Sequence, residues 1–163
     1  MITEEIKDFL NSQKLGYVAT VSLDGKPNIS PKGTIIGWTA ETLAFADIRS
    51  PDTLKNLNDN PNVEINVIDP LIRKGYLFQG KARILEDDTL YQEILNHYRK
   101  NGIKSPINSI VLVDVSNVVE VVSPLYDLGI SEVEIKSNQN GKSILLLYDS
   151  SSDFAVCLRF FKS

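Results

Sequence analysis

Residues 43–69 read LAFADIRSPDTLKNLNDNPNVEINVID, a stretch in which the pattern changes twice. An apolar run ends at about Asp47 and reads as a strand. Ser50 then stands as an N-cap and Pro51 as the first residue of a short helix, with Leu54 and Leu57 turned inward. Asn60-Pro61 stops that helix, and VEINVID resumes a period of two. A helix start leaves backbone N–H groups free and carries partial positive charge, so it can hold an anion. Arg49 precedes this start, Thr53 lies in its first turn and Lys55 follows, so guanidinium, hydroxyl, amine and N–H donors converge where a phosphate group fits. Taken alone, the same residues also describe an ordinary helix start with Arg49 in water, and caps are commoner than phosphate sites.

Before this stretch, Thr3 is placed to cap a helix carrying Ile6, Phe9 and Leu10, with Gly16 as its stop. YVATVSL (17–23) puts Tyr17, Ala19, Val21 and Leu23 on one face of a strand. Asp24-Gly25 predicts a hairpin, whose return strand runs from Pro27 through Ser30. Pro31 and Gly33 in SPKGT (30–34) predict a kink or bulge. Such a break offers N–H and C=O groups to the polar rim of a planar heterocycle, with Lys32 to neutralise charge on it. A simple bend that closes a barrel is the other reading. TIIGW (34–38) and TLAFAD (42–47) are two further strands.

After it, GYLFQGKARIL (75–85) is a strand, and Asp87 or Asp88 caps a helix with Leu90, Ile94, Leu95 and Tyr98. IVLVDV (110–115) and VVEVV (118–122) complete a six- or seven-stranded antiparallel barrel. SEVEIKS (131–137) and KSILLLYD (142–149) flank Asn140-Gly141 and, with FAVCLRFF (154–161), read as an appended meander. The expected class is mainly β (α+β): an antiparallel split β-barrel with a few short flanking helices. A single domain over residues 1–163 is expected, with a β extension from about residue 131.

The 163 residues suffice for a core without disulfides. A net charge of −4 and a pI near 5.0 argue against a nucleic-acid surface. No apolar run is long enough to span a bilayer, and MITEEIKDFL lacks a signal-peptide core, so a cytoplasmic protein is expected. Cys157 and His97 are the only residues of their types, which removes disulfide, zinc and cysteine-pair chemistry. An enzyme of this composition relies on a bound organic cofactor. His97 reads as a partly buried surface residue and Cys157 as a small core hydrophobe. Trp38 and Tyr76 read as core aromatics that can also stack on a cofactor.

The ordered blocks GYVATVSLDGKPNISPKGT, LAFADIRSPDTLKNLNDNPNVEINVID, GYLFQGKARI and VVEVVSPLYD resemble the pyridoxamine 5′-phosphate oxidase-like, FMN-binding split-barrel family. The resemblance covers about residues 5–129. It implies a homodimer with FMN at the subunit interface. It also implies oxidoreductase activity on a nicotinamide nucleotide or small substrate, with no nucleic-acid or membrane partner. By the same resemblance Ser30, Pro31, Lys32 and Gly33 line the flavin ring, and Phe45, Ala46 and Asp47 offer backbone contacts. Arg49, Ser50, Thr53 and Lys55 surround the phosphate, and Tyr76 reaches across from the partner. The alternatives are a non-catalytic FMN-binding or electron-carrier protein, or the same fold holding a deazaflavin or haem, as some relatives do. Asp52 stands where many relatives have lysine, and the closing LRFFKS differs from the basic tail of the vitamin-B6 oxidases, so B6 oxidation is not expected.

Overall fold

In the computed structural model, which describes residues 1–139, helix α1 (Glu4–Gln13) begins where Thr3 caps it. The Thr3 hydroxyl accepts from the Ile6 N–H at 3.3 Å. The helix ends at Lys14, in the left-handed region at φ 55°, rather than at Gly16. Gly16 instead opens strand β1 (Gly16–Val21), where a Cβ would lie 2.5 Å from Ile35 Cδ1. Its small size serves packing rather than helix termination.

Six more strands follow: β2 (Pro27–Lys32), β3 (Ile36–Gly37), β4 (Thr42–Asp47), β5 (Asn62–Asp69), β6 (Lys74–Leu85) and β7 (Ser109–Val122). They form one antiparallel sheet in the order β2-β1-β5-β6-β7-β4-β3. Strands β2 and β3 thus lie at opposite edges, yet only residues 33–35 separate them in the chain. A three-residue link spans roughly 10 Å, about two strand spacings. The sheet must therefore curl until its edges meet, which makes it a split barrel. Thr34 bridges the gap: its hydroxyl accepts from the Ala46 N–H of β4 at 3.0 Å. Pro31 does not break β2, as the sequence suggested, but stays in register opposite Tyr17. An edge strand has a neighbour on one side only, so a residue without an N–H is tolerated there. The bend falls one residue after the strand, at Gly33.

Val18, Leu43, Phe45, Ile65, Phe78 and Val111 fill the barrel, closed by Ile6 and Leu10 of α1 and by Leu57 of α2 (Pro51–Asp59). Outside it, Ile94 and Tyr98 of α3 (Thr89–Lys100) pack on Ala44, Ala46, Ile110 and Leu112. Strand β4 is therefore covered on both faces, which explains why TLAFAD shows no alternation. In β1 the inward residues are Val18 and Thr20, whereas Tyr17 and Val21 stay exposed.

Two expectations need correction. IVLVDV and VVEVV are one strand, β7, interrupted by a bulge: Val115 pairs with Gly80 and Asn117 with Gln79, leaving Ser116 over. SEVEIKS is not a strand, because residues 132–137 lie in helix α4 (Glu132–Gln139). Ser131 and Glu134 form a reciprocal cap, in which Ser131 Oγ donates to the Glu134 carboxylate at 2.7 Å and accepts from the Glu134 N–H at 3.4 Å. The expected KSILLLYD and FAVCLRFF strands, and Cys157, lie outside the described residues. Among those described, no helix is long and apolar enough to cross a membrane.

Gly75 marks the closest approach in the sheet, since a Cβ there would lie 2.0 Å from the Val67 carbonyl oxygen of β5. Gly75→Ala is expected to cost about 1–3 kcal/mol through forced backbone displacement. Thermal denaturation reads this as a clear fall in melting temperature. An unchanged value would mean that β5 and β6 are not pressed together there.

Candidate functional site

The split of the barrel opens into a cavity of about 460 Å³. One wall is the end of β2 and the link that follows it: Ser30, Pro31, Lys32, Gly33 and Thr34. The floor is Ala46, with Ile48 and Arg49 continuing from β4. The opposite wall is the loop after α3, through Gly102, Ile103, Lys104 and Ser105. Six residues expected from the sequence meet here: Ser30, Pro31, Lys32, Gly33, Ala46 and Arg49. Lys32, only 7% exposed, donates from Nζ to Ser30 Oγ at 2.7 Å. Neither Lys32, Arg49 nor Lys104 is ion-paired within the described residues, and no carboxylate lines the cavity. The site therefore favours an anion.

Beside it lies the start of α2. Ser50 occupies the N-cap position but does not cap, which corrects its expected role. Its N–H and hydroxyl both donate to Asp47 Oδ1, at 3.0 and 2.5 Å. Asn108 approaches the other oxygen, Oδ2, at 3.4 Å, so the buried carboxylate is held on both sides. Among the described residues, the first-turn N–H groups of α2 are left without a side-chain acceptor, which suits an anion. Asp52 in that turn is exposed and of the opposite sign.

The remaining expected residues are placed elsewhere. Thr53 is 1% exposed, and its hydroxyl accepts from Asn28 Nδ2 at 3.2 Å. The Phe45 ring is buried in the barrel core. Lys55 is exposed on α2. Tyr76 packs edge-on to Phe9, with ring centroids 5.2 Å apart, and does not line the cavity of its own chain. Burial, then Glu5 and Glu120, raise its phenol pKa above the usual tyrosine range. Exposed His97 contacts Trp38 edge-on at 5.8 Å.

Sequence reasoning missed the wall at residues 102–105. Arg99 holds it, donating to the carbonyls of Ile103 and Ser105 at 2.7 and 2.8 Å. The buried Tyr98 hydroxyl, its pKa raised by burial, donates to the Thr34 carbonyl at 2.8 Å. These bonds tie α3 and its loop to the link across the split. The local signal was the cationic end of α3 followed by Gly102, at φ 84°. Its meeting with residues some 70 positions earlier is tertiary.

A split barrel with an anion-favouring cavity at its seam defines the class of protein. The family model for pyridoxamine 5′-phosphate oxidase matches residues 2–120, and the chain belongs to that family. HupZ of Group A Streptococcus is 30% identical, with a TM-score of 0.66 over 74% of this chain and 94% of that one. An FMN-binding protein from Syntrophomonas wolfei shares the fold at 14% identity, with a TM-score of 0.65 over 75% of this chain and 87% of that one. HutZ, the heme storage protein from Vibrio cholerae, shares it at 20% identity, with a TM-score of 0.57 over 74% and 94%. No curated protein matches the sequence.

Burial pushes the Lys32 ammonium below the ordinary lysine pKa of 10.5, and the nearby Asp47 charge opposes this only in part. Between the lowered folded value and 10.5 the unfolded chain binds more protons, so this residue's contribution to stability rises with pH in that window. At neutral pH its buried charge is therefore a standing cost. Lys32→Met is expected to raise the melting temperature by a few degrees at neutral pH. The advantage should shrink as the pH approaches 10.5. Thermal melts of both proteins across that range check it, and a less stable variant would mean that the charge is compensated in the apo fold.

Proposed function

We propose that the protein binds FMN at this cavity as a homodimer and acts as an FMN-dependent oxidoreductase on a small substrate. The observation that carries the reading is the cationic set of Lys32, Arg49 and Lys104, without an ion pair among the described residues, beside a helix start whose own cap is turned away. The volume of about 460 Å³ falls within the range of small-molecule sites. The residues present thus fit a phosphorylated planar cofactor. When bound, FMN would supply hydride exchange between the substrate and its ring.

The chain's own residues bind and orient. Arg49 and the first-turn N–H groups of α2 take the phosphate, with Lys55 adding charge from the more distant helix face. Ser30, Pro31, Lys32 and Gly33 border the ring, and the Lys32 ammonium opposes negative charge on it. Asp47 keeps Ser50 from capping α2. Haem, which HutZ is described as storing, fits the donor set less well: the lining holds no His, Cys, Met or Tyr among the described residues.

The partner is a second copy. Tyr17, Asn66, Leu77 and Val119 follow one another across the strand register, and Ile29 lies two residues from Pro31, the partner of Tyr17. Tyr17, Ile29 and Val119 are 49%, 67% and 42% exposed, which leaves an apolar outer face suited to an interface.

Purification tests the cofactor directly, since flavin absorption bands support FMN and a Soret band supports haem. Light scattering at micromolar concentration with FMN supplied is expected to give a dimer, and a monomer would count against the interface. Arg49→Ala should lose about 1.5–3 kcal/mol, or roughly ten- to a hundredfold, in FMN affinity. Riboflavin, which lacks the phosphate, should bind almost as to wild type, and Lys55→Ala should have a smaller effect. Asp52→Lys should tighten FMN several-fold by reversing a first-turn charge, again sparing riboflavin. Fluorescence titrations with both flavins read all three. If Arg49→Ala binds FMN like wild type, the phosphate is held elsewhere.

A further inference from the structure

The inner face of β2 carries Asn28, Ser30 and Lys32, where a barrel strand ordinarily carries apolar residues. Ser30 and Lys32 line the cavity, but Asn28 does not. Its amide nitrogen donates to Thr20 Oγ1 of β1 and to Thr53 Oγ1 of α2, each at 3.2 Å. Asn56 Nδ2, one turn further along α2, donates to the same Thr20 oxygen at 3.1 Å. Thr20, Thr53 and Asn56 are 2%, 1% and 6% exposed and Asn28 is half-buried, so the network is shielded from water on its barrel and α2 side. Asn28 is the residue that links the strand bearing the cavity wall to the first turn of α2.

Leu57 packs α2 on the barrel, but apolar packing is non-directional and leaves some freedom of rotation and slide. Buried hydrogen bonds remove that freedom, because a displaced donor or acceptor would lose its partner in a dry environment. We infer that Asn28 is a positioning residue for phosphoester recognition. Acting through Thr53, it fixes the start of α2 relative to the β2 wall, so that one ligand can touch both. This rests on the FMN reading above and adds to it a residue that does not line the cavity. A ligand that spans both walls feels a displacement of α2. A ligand without the phosphate meets only the β2 side and is indifferent to it.

The test compares FMN and riboflavin affinities by fluorescence titration for wild type, Asn28→Ala, Thr53→Val and the double variant. Asn28→Ala is expected to weaken FMN about five- to twentyfold while changing riboflavin less than twofold. Thr53→Val should do the same, and the double variant should be no weaker than either single one, because both remove the same link. Thr53→Ser, which keeps the hydroxyl, should recover FMN selectivity. Should Asn28→Ala fail to fold, Asn28→Ser, a less disruptive change, gives the same comparison. Equal weakening of both flavins would show a purely structural role and overturn the inference, as would unchanged FMN affinity. Additive losses in the double variant would overturn it too, by pointing to Thr53 as a direct phosphate ligand. Failure of wild type to bind FMN would overturn the FMN reading itself, and this inference with it.

Discussion

Residues 33–35 join the two opposite edges of a seven-stranded sheet, and a link of that length leaves the sheet no choice but to curl. Thr34 carries much of the consequence. Its hydroxyl meets the Ala46 N–H on β4, and its carbonyl accepts from buried Tyr98 of α3. One residue thereby fastens the link that follows β2 to β4 and to the outer helix. The cavity lies along this seam because the seam is where regular pairing stops and polar groups are left over. Its second wall follows from the same fastening, since the helix that Thr34 holds also carries the loop clamped by Arg99.

The seam is maintained against stability. β2 turns Asn28, Ser30 and Lys32 inward, and Lys32 is buried without an ion pair among the described residues. An apolar row there would enlarge the core and seal the barrel. Ser50 gives up its capping bond to Asp47, and the acidic residue within the first turn itself, Asp52, is exposed. Local departures from what a fold alone would favour gather in one place, which is how a binding region differs from a core.

Elements whose signals are local were legible in the chain. Thr3 and Asp88 cap α1 and α3, and Asp24-Gly25 turns between β1 and β2 with Gly25 at φ 81°. Asp88 was one of two caps considered, and the Tyr91 N–H bonds its carboxylate at 2.6 Å. The strand expected over SEVEIKS rested on its place beside the Asn140-Gly141 turn signal. The Ser131–Glu134 cap was the stronger signal, and of the two apolar residues only Ile135 is buried, Val133 being 76% exposed. IVLVDV and VVEVV looked separate because a bulge leaves the same polar break as a turn. Half of the expected site residues meet at the cavity because they are neighbours in two short segments. The 102–105 wall was hidden, since nothing in residues 98–105 states that Tyr98 will find Thr34. The bond that Thr53 accepts was hidden for a related reason: its partner, Asn28, is 25 residues away on another element.

The strand order also bears on synthesis. β1 to β4 emerge first, already tied into one piece by the short link, but β1 and β4 are not neighbours in the finished sheet. Each waits with an unpaired flank, β1 for β5 and β4 for β7. Closure comes only when Ser109–Val122 leaves the ribosome and pairs with both β4 and β6. Until then the nascent chain exposes two ladders of open hydrogen-bonding groups, one of them on the apolar LAFAD run. That interval is when a chaperone, or an unwanted neighbour, has most to bind.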